Sequence, residues 1–176
     1  SIIDHSESKL VFINNALWEN INKDNVKVTT IESPSFTLLK SIGDNTDEIV
    51  NSIDFRFKQS YPDGFSKKDI KYAKVDNSEV VCINYTSGTT GYSKGVMITA
   101  NNFAGNITYA DKLNLLFAGE RILAFLPMAH VYGCAFDFLY SLSTGVHITL
   151  LGVSPTPQNL INALDEVRPN IIITVP

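Results

Sequence analysis

Residues 80–99 read VVCINYTSGTTGYSKGVMIT, two apolar runs separated by a segment rich in glycine and hydroxyl side chains. The run from Val80 to Tyr85 predicts a buried strand, and the run from Gly95 to Thr99 predicts a second one. The glycine-rich segment therefore lies in the turn between two strands. Its glycines permit close backbone approach, and Lys94 adds a positive charge. Backbone N–H groups in such a turn form an anion-binding concavity, so the segment predicts a phosphate-binding loop.

The spacing within this loop argues against two common nucleotide-binding motifs. The order Gly88-x-x-Gly91-x-x-Lys94-Gly95 differs from the Gly-x-x-x-x-Gly-Lys-Ser/Thr of a Walker loop. Residues 96–98 continue as a strand, whereas a Walker loop and a Rossmann loop both open a helix. A kinase-like phosphotransferase is also disfavoured, because the chain shows no Asp/His catalytic loop. A plain hairpin turn, rich in Gly and Thr for solubility, is the remaining alternative for these residues.

The rest of the chain alternates between strand and helix patterns. Residues 8–13 and 26–31 predict strands with a helix between them, which makes a βαβ unit. Later strands are expected at residues 121–126, 147–151 and 171–175, and helices at residues 103–113, 131–143 and 157–167. Such alternation predicts a layered α/β fold with a mostly parallel sheet flanked by helices.

Composition narrows the class of protein further. The chain has 176 residues, of which 44% are hydrophobic and 18% are charged, and its net charge is -4. A chain of this composition can bury a hydrophobic core. Its excess of acidic over basic residues, and the scattered positions of Lys and Arg, disfavour a nucleic-acid binder. Cys82 and Cys134 stand in apolar runs without metal-ligand spacing, so neither a disulfide nor a zinc site is expected and a cytoplasmic location is predicted. Neither a membrane span nor a signal peptide is visible.

The loop resembles the signature of the adenylate-forming, AMP-binding superfamily, which contains acyl-CoA synthetases, luciferases and peptide-synthetase adenylation domains. The family's loop runs Tyr-Thr-Ser-Gly-Thr-Thr-Gly-x-Pro-Lys-Gly-Val, and residues 85–96 match it except that Ser93 replaces the proline. Residues 126–133 resemble the family's Leu-Pro-x-x-His-x-x-Gly segment, and residues 168–176 resemble its Lys/Arg-Pro-x strand that ends in Val-Pro. The resemblance covers most of the chain from Asp76 onward and is greatest to bacterial long-chain fatty acyl-CoA synthetases.

This resemblance implies that the chain is part of the large N-terminal domain of a ligase that works in two steps. Such an enzyme activates a fatty acid with MgATP to acyl-AMP and pyrophosphate and then transfers the acyl group to CoA, so ATP, Mg²⁺ and CoA are the implied cofactors and cosubstrates. The resemblance places His130 in the catalytic site beside the carboxylate, with Tyr132 and Gly133 at the acyl entrance. No residue is assigned as a metal ligand. Phosphate binding is assigned to Thr86, Ser87, Gly88, Thr89, Thr90, Gly91 and Lys94.

The resemblance also sets expectations for organisation and partners. Residues 1–75 are expected to form a βαβ-containing region, and residues 76–176 a region with the phosphate loop and acyl site. The family's Tyr-Gly-x-Thr-Glu segment, its ribose-binding Asp and its catalytic C-terminal Lys have no counterpart in the chain. We therefore expect an interior excerpt of a larger ligase that is inactive alone and has exposed apolar patches or self-associates. The expected partners are small molecules, and peripheral membrane contact is left open.

Plainer interpretations stay open beside this one. The chain can be a non-catalytic nucleotide-binding or interaction domain, or part of another adenylate-forming ligase that acts on an aryl or amino acid. His130 can simply cap the helix that follows it. Tyr132, Phe136 and Phe138 are more simply explained as core or helix-packing aromatics. The sequence does not predict the length of the acyl chain.

Overall fold

The computed structural model of the chain describes residues 2–43, 46–87 and 93–175. The chain divides into two compact units, Ser1–Lys74 and Val75–Pro176, called the first and second unit below. Helices and strands alternate in both units, so the predicted α/β class is confirmed. The strands form three small sheets, of three, two and two strands.

The first unit contains the predicted βαβ arrangement. Its elements are α1 (Ile2–His5), β1 (Leu10–Ile13), α2 (Asn15–Trp18), a 3₁₀ turn (Lys23–Asn25), β2 (Thr29–Glu32), β3 (Leu38–Lys40), α3 (Thr46–Asn51), α4 (Ile53–Ser60) and a second 3₁₀ turn (Lys67–Asp69). β1 and β2 pair in parallel, and the Asn14 side chain caps α2 by accepting the Ala16 N–H at 2.8 Å. β3 runs antiparallel to β2, because residues 33–37 are too few for a crossover.

Apolar side chains on α3 and α4 stay exposed. Ile49, Ile53 and Phe57 repeat at helical spacing, yet each is about half accessible within the described structure. Phe57 and Phe65 pack against Tyr61, with ring centroids 5.0 Å apart in both pairs. The sequence predicts exposed apolar patches, and these residues confirm that part of the expectation. Self-association stays a prediction.

The second unit carries the loop segment. Its elements are β4 (Val80–Ser87), β5 (Ser93–Thr99), α5 (Ala100–Lys112), β6 (Arg121–Ala124), a π-helix (Gly133–Tyr140), α6 (Ser141–Thr144), β7 (His147–Leu150) and α7 (Pro157–Val167). β4 and β5, the two strands that the apolar runs predict, pair with each other as an antiparallel hairpin. α5 follows β5 at once through a capping box between Thr99 and Asn102. α7 begins as predicted, with Thr156 as its cap and Pro157 in its first turn.

The predicted strand at residues 171–175 does not form in the described structure. β6 and β7 pair in parallel along four residues, but on the other side of β6 only Ile171 makes a bridge, to Ile122. The Asn170 side chain accepts the Arg121 N–H at 3.0 Å, where a regular parallel ladder would use a backbone carbonyl. The apolar pattern of these residues therefore reflects packing rather than a strand.

The core of the second unit is centred on Tyr140. Its ring is buried with Ala110, Leu116 and Ile122, and its hydroxyl donates to the Ala110 carbonyl at 3.2 Å. This contact joins the π-helix to α5, while Ile122 brings β6 into the same cluster. The core therefore fixes α5, β6 and the π-helix against one another.

The helix predicted at residues 131–143 is present, but most of it is π-helical. It starts at Val131, becomes a π-helix from Gly133 to Tyr140 and returns to α-helix until Gly145, which ends it with a φ of 76°. Ser141 Oγ donates to the Phe136 carbonyl at 3.0 Å, five residues earlier. π-Helical turns are rare and occur often at functional sites.

Among the helices that the structure describes, none is both long and apolar enough to cross a bilayer.

Candidate functional site

The β4–β5 hairpin presents the two ends of the predicted phosphate loop side by side. Thr86 pairs with Lys94, and Ser87 pairs with Ser93. Opposite residues of an antiparallel pair share a face, so Thr86 and Lys94 lie on one face of the hairpin and Ser87 on the other. All three side chains are exposed. The structure therefore places a hydroxyl and an ammonium together where the loop leaves the hairpin.

Four predicted phosphate-binding residues lie outside the described residues: Gly88, Thr89, Thr90 and Gly91. Their role stays a prediction. Thr86, Ser87 and Lys94 are the described members of the set.

Gly95 lies close against side chains of β4. A Cβ at this position would lie 3.0 Å from Ile83 Cγ2 and 3.3 Å from two ring atoms of Tyr85. Both of these side chains come from β4, on the face opposite Lys94. Glycine therefore lets the two strands keep their register directly behind Lys94.

His130 lies in the turn between β6 and the π-helix. Its N–H donates to the Pro127 carbonyl at 2.9 Å, and its own carbonyl accepts the Cys134 N–H at 3.0 Å. Its Nδ1 accepts the Tyr132 N–H at 3.3 Å, which leaves Nε2 as the ring nitrogen free to carry a proton toward another group. The helix-capping interpretation of His130 is therefore supported, and it is compatible with a site role for Nε2.

One hydrogen bond joins the His130 turn to the hairpin. The Asn84 side-chain amide donates to the carbonyl of Ala129, the residue before His130. Asn84 lies two residues before Thr86 on β4, so it shares the hairpin face of Thr86 and Lys94. That face is therefore the one turned toward the His130 turn.

Two cavities meet at Tyr132. The smaller, about 250 Å³, is lined by His130, Tyr132, Gly133, Leu126, Pro127 and Val175. The larger, about 470 Å³, is apolar; Tyr132 and Phe136 line it, with ring centroids 4.8 Å apart, beside side chains from α5 and residues 171–174. Tyr132 therefore packs on the π-helix, as the plainer interpretation predicts, and also lines both cavities. Its place at the acyl entrance stays a prediction.

Asp137 is the most unusual polar group of the second unit. It lies in the middle of the π-helix and is 1% exposed, and within the described parts of the chain neither carboxylate oxygen has a hydrogen-bond partner. Burial raises the pKa of Asp137 to about 6, and the nearby backbone amide of Leu126 offsets part of that rise. Asp137 belongs to none of the sequence motifs, although a single carboxylate within an apolar helix is the signal that marks it.

Asp137 should make stability depend on pH. Because its pKa in the folded protein lies above the unfolded value of about 4, its contribution to stability is fully present below pH 4 and is lost as the pH rises through 6. The amide of an Asp137→Asn variant would not titrate. We expect the unfolding free energy of wild type, measured relative to Asp137→Asn by urea denaturation, to fall by about 2 kcal/mol between pH 4 and pH 7.

The matched control for this measurement is Asp111→Asn, which changes an exposed carboxylate on α5 in the same unit. A difference between wild type and Asp137→Asn that stays constant from pH 4 to pH 7 would contradict a buried Asp137 that takes up a proton.

The two cysteines lie near this region as free thiols. Cys82 on β4 and Cys134 on the π-helix are both half-buried, and they line one cavity together with Asn84. Burial raises the pKa of Cys134, and the neighbouring Cys82 adds to that rise. The Cys134 thiol is therefore neutral at physiological pH and behaves as a small apolar side chain.

A comparison with protein families matches the whole chain, residues 1–176, to the family described as "AMP-binding enzyme". The chain belongs to the AMP-binding enzyme family. The resemblance of the loop to the adenylate-forming signature is thereby confirmed. The described residues of this chain's first motif lie where the loop leaves the β4–β5 hairpin, and those of its second motif lie in the His130 turn and at the start of the helix that follows.

Two curated relatives of this AMP-binding chain carry the names of long-chain fatty acid ligases. It is 32% identical over 108 residues to a long-chain-fatty-acid–CoA ligase, FadD15, of Mycobacterium tuberculosis, a match covering 60% of this chain and 17% of the relative. It is 33% identical over 102 residues to a chloroplastic long-chain-fatty-acid–[acyl-carrier-protein] ligase, AEE15, of Arabidopsis thaliana, covering 58% and 13% respectively. These matches span less than a fifth of either relative.

The fold of the AMP-binding chain also recurs in solved structures. It aligns with the fatty acyl-adenylate ligase from L. pneumophila in complex with acyl adenylate and pyrophosphate with a TM-score of 0.64 and 16% sequence identity. The match covers 97% of this chain and 26% of that one. At this identity the similarity establishes the fold, which is that of part of an adenylate-forming enzyme.

In the parts of the AMP-binding chain that the structure describes, no cluster of three or more His, Cys, Asp or Glu side chains is arranged to hold a metal ion.

Proposed function

We propose that this chain is part of an AMP-forming long-chain fatty acid–thiol ligase. It would be the part that binds the phosphates of ATP and faces the carboxylate of the fatty acid. The observation that carries the proposal is the hairpin face on which Thr86 and Lys94 flank the loop and Asn84 contacts the His130 turn. The long-chain fatty acid ligases among the relatives support the substrate class.

In the proposed reaction, a carboxylate oxygen of the fatty acid forms a bond to the α-phosphorus of ATP. The bond between that phosphorus and the oxygen bridging to the β-phosphate breaks, and pyrophosphate leaves with the negative charge. Lys94 is proposed to bind the β- and γ-phosphate oxygens and stabilise the leaving pyrophosphate, and the Thr86 hydroxyl to donate to the same group. The remaining loop residues, 88–91, are proposed to add backbone N–H donors.

Mg²⁺ is proposed to enter with ATP, because it commonly binds through substrate phosphates and retained water. The described donors at the loop mouth, hydroxyls and one ammonium, fit the phosphate oxygens directly. Mg²⁺ would share the negative charge of those phosphates, while the chain's own residues hold and orient them.

On the acyl side, His130 and the cavities at Tyr132 provide a place for the carboxylate and its apolar tail. The His130 Nε2 proton can donate to a carboxylate oxygen, which would orient the nucleophile. The larger cavity is lined mostly by apolar side chains, Leu113, Leu116, Phe136 and Ile172 among them, and this suits an acyl chain. The thiol acceptor in the second step is proposed to be CoA. Residues 1–75 and 76–176 are proposed as two regions of one catalytic domain that needs the rest of the protein for turnover.

The test is pyrophosphate exchange into ATP by the protein that carries this chain, assayed with a long-chain fatty acid, an aryl acid and an amino acid in parallel. We expect exchange with the long-chain fatty acid and background rates with the other two. Exchange with the aryl or amino acid alone would indicate another adenylate-forming ligase. If the protein binds ATP but none of the three acids supports pyrophosphate exchange, the result would indicate a non-catalytic nucleotide-binding domain.

A further inference from the structure

Asn84 is a polar side chain in an otherwise apolar strand segment. It follows Cys82 and Ile83 on β4 and is half-buried. Its amide donates to the carbonyl of Ala129, which is 45 residues away in the chain. A half-buried amide in a strand gains stability only when it finds a partner of this kind, so the contact explains why the amide is tolerated there.

The Asn84–Ala129 hydrogen bond joins two segments that both carry predicted site residues. Along β4, Thr86 follows Asn84 on the same face, and Lys94 lies opposite Thr86. Along the other segment, His130 follows Ala129 directly. A single hydrogen bond therefore connects the strand that enters the phosphate loop with the turn that carries His130.

The other hydrogen bonds described for the His130 turn are local. They join His130 to Pro127 and to Cys134, and Tyr132 to the His130 ring. These bonds shape the turn but do not fix it against β4. The Asn84–Ala129 bond does so, because its two ends belong to different elements.

We propose that Asn84 is a positioning residue that sets the separation between the ATP phosphates held at Thr86 and Lys94 and the carboxylate held at His130. The proposal rests on the proposed function. Each substrate binds mainly to its own segment, so the bond governs alignment of the two reactants rather than the affinity for either. When two reactants are bound in one site, a shift of one reactant relative to the other by less than a bond length is enough to slow the attack.

The test uses Asn84→Ala and Asn84→Asp in the protein that carries this chain. Ala removes the donor, while Asp keeps the side-chain size but places a carboxylate against the Ala129 carbonyl. We expect kcat for acyl-AMP formation to fall about tenfold in both variants. The KM values for ATP and for the fatty acid should stay within about twofold of wild type.

The rate is counted per active site, from the stoichiometric release of pyrophosphate in the absence of a thiol acceptor. Loss of folded protein then lowers the amplitude of this release without lowering the rate per site. If Asn84→Ala does not fold, Asn84→Asp carries the test. The matched control is Asn106→Ala, which removes an amide-to-carbonyl bond of 2.8 Å to Asn102 that stays within α5. This control should keep the wild-type kcat.

The outcomes separate the two proposals. A wild-type protein that forms no acyl-AMP contradicts the proposed function itself. If wild type is active, unchanged kcat in both Asn84 variants overturns the positioning role. A raised KM for ATP with unchanged kcat overturns it as well, because Asn84 would then act only on phosphate binding.

Discussion

Replacing Lys94 by alanine is expected to lower fatty-acid-dependent pyrophosphate exchange by about 100-fold, because it removes the one described cation at the mouth of the phosphate loop. The leaving pyrophosphate carries several negative charges, and a preorganised ammonium stabilises them more in the transition state than water does. The loss should fall mainly on kcat. Measuring kcat and KM for ATP separately, in the protein that carries this chain, checks this expectation.

The fold gives Lys94 this position through the hairpin register. Thr86 lies opposite Lys94, and Gly95 lets Ile83 and Tyr85 pack behind it. Replacing a lysine by alanine at an exposed strand position should change the free energy of unfolding only slightly. The expected loss is therefore catalytic, and the melting temperature should change little.

Lys112→Ala is the matched control for Lys94→Ala. Lys112 is also exposed and belongs to the same unit, but it lies in the last turn of α5. This variant should retain wild-type exchange. Equal, small effects of the two substitutions would contradict a phosphate role for Lys94. Arginine at position 94 should restore part of the exchange, because it keeps the charge with a different geometry.

Gly133→Ala is expected to destabilise the protein by about 2 kcal/mol and to reduce exchange at the same time. A Cβ at this buried position would lie 2.7 Å from the Pro127 carbonyl oxygen and 3.2 Å from Leu126 Cβ. The nearest of these atoms is backbone, so a side-chain rotation cannot relieve the clash. The π-helix and the His130 turn would have to move apart.

The measurement is urea denaturation of wild type and Gly133→Ala, with exchange assayed on the folded fraction. Gly105→Ala is the matched control. Gly105 lies on α5, and a Cβ there meets nothing within 4 Å. Because alanine favours a helix more than glycine does, Gly105→Ala should be neutral or stabilising by about 0.5–1 kcal/mol. A Gly133→Ala protein as stable as wild type would contradict the close packing at the His130 turn.

The sequence predicts the hairpin and the place of its loop well, because the physical signals there are local. The polar segment between the two apolar runs is too short for a crossover connection, so two strands joined by it can pair only in antiparallel orientation. The predicted start of the helix at residue 157 and the end of the helix predicted at residues 131–143 also agree with the structure, because Thr156 caps the first and Gly145 ends the second. Where one or two neighbouring residues determine the backbone, prediction and structure agree.

The features that the sequence did not predict depend on contacts distant in the chain. Residues 133–140 are apolar at nearly every position, so their sequence has no spacing that separates a π-helix from an α-helix. Residues 171–175 have the composition of a buried strand, but only Ile171 finds a partner on β6. In the candidate site, the motifs predict roles for Lys94 and His130, and these roles stay predictions. Asn84 was missed because its partner, Ala129, lies far along the chain.

The central claim is that this chain serves a reaction at the α-phosphorus of ATP, and oxygen transfer tests it most directly. A long-chain fatty acid labelled with ¹⁸O in its carboxylate is turned over with ATP and CoA by the protein that carries this chain, and the nucleotide products are analysed by mass spectrometry. Attack on the α-phosphorus predicts AMP that has gained one ¹⁸O, together with unlabelled pyrophosphate. ADP with label in inorganic phosphate would place the attack at the γ-phosphorus and contradict the account.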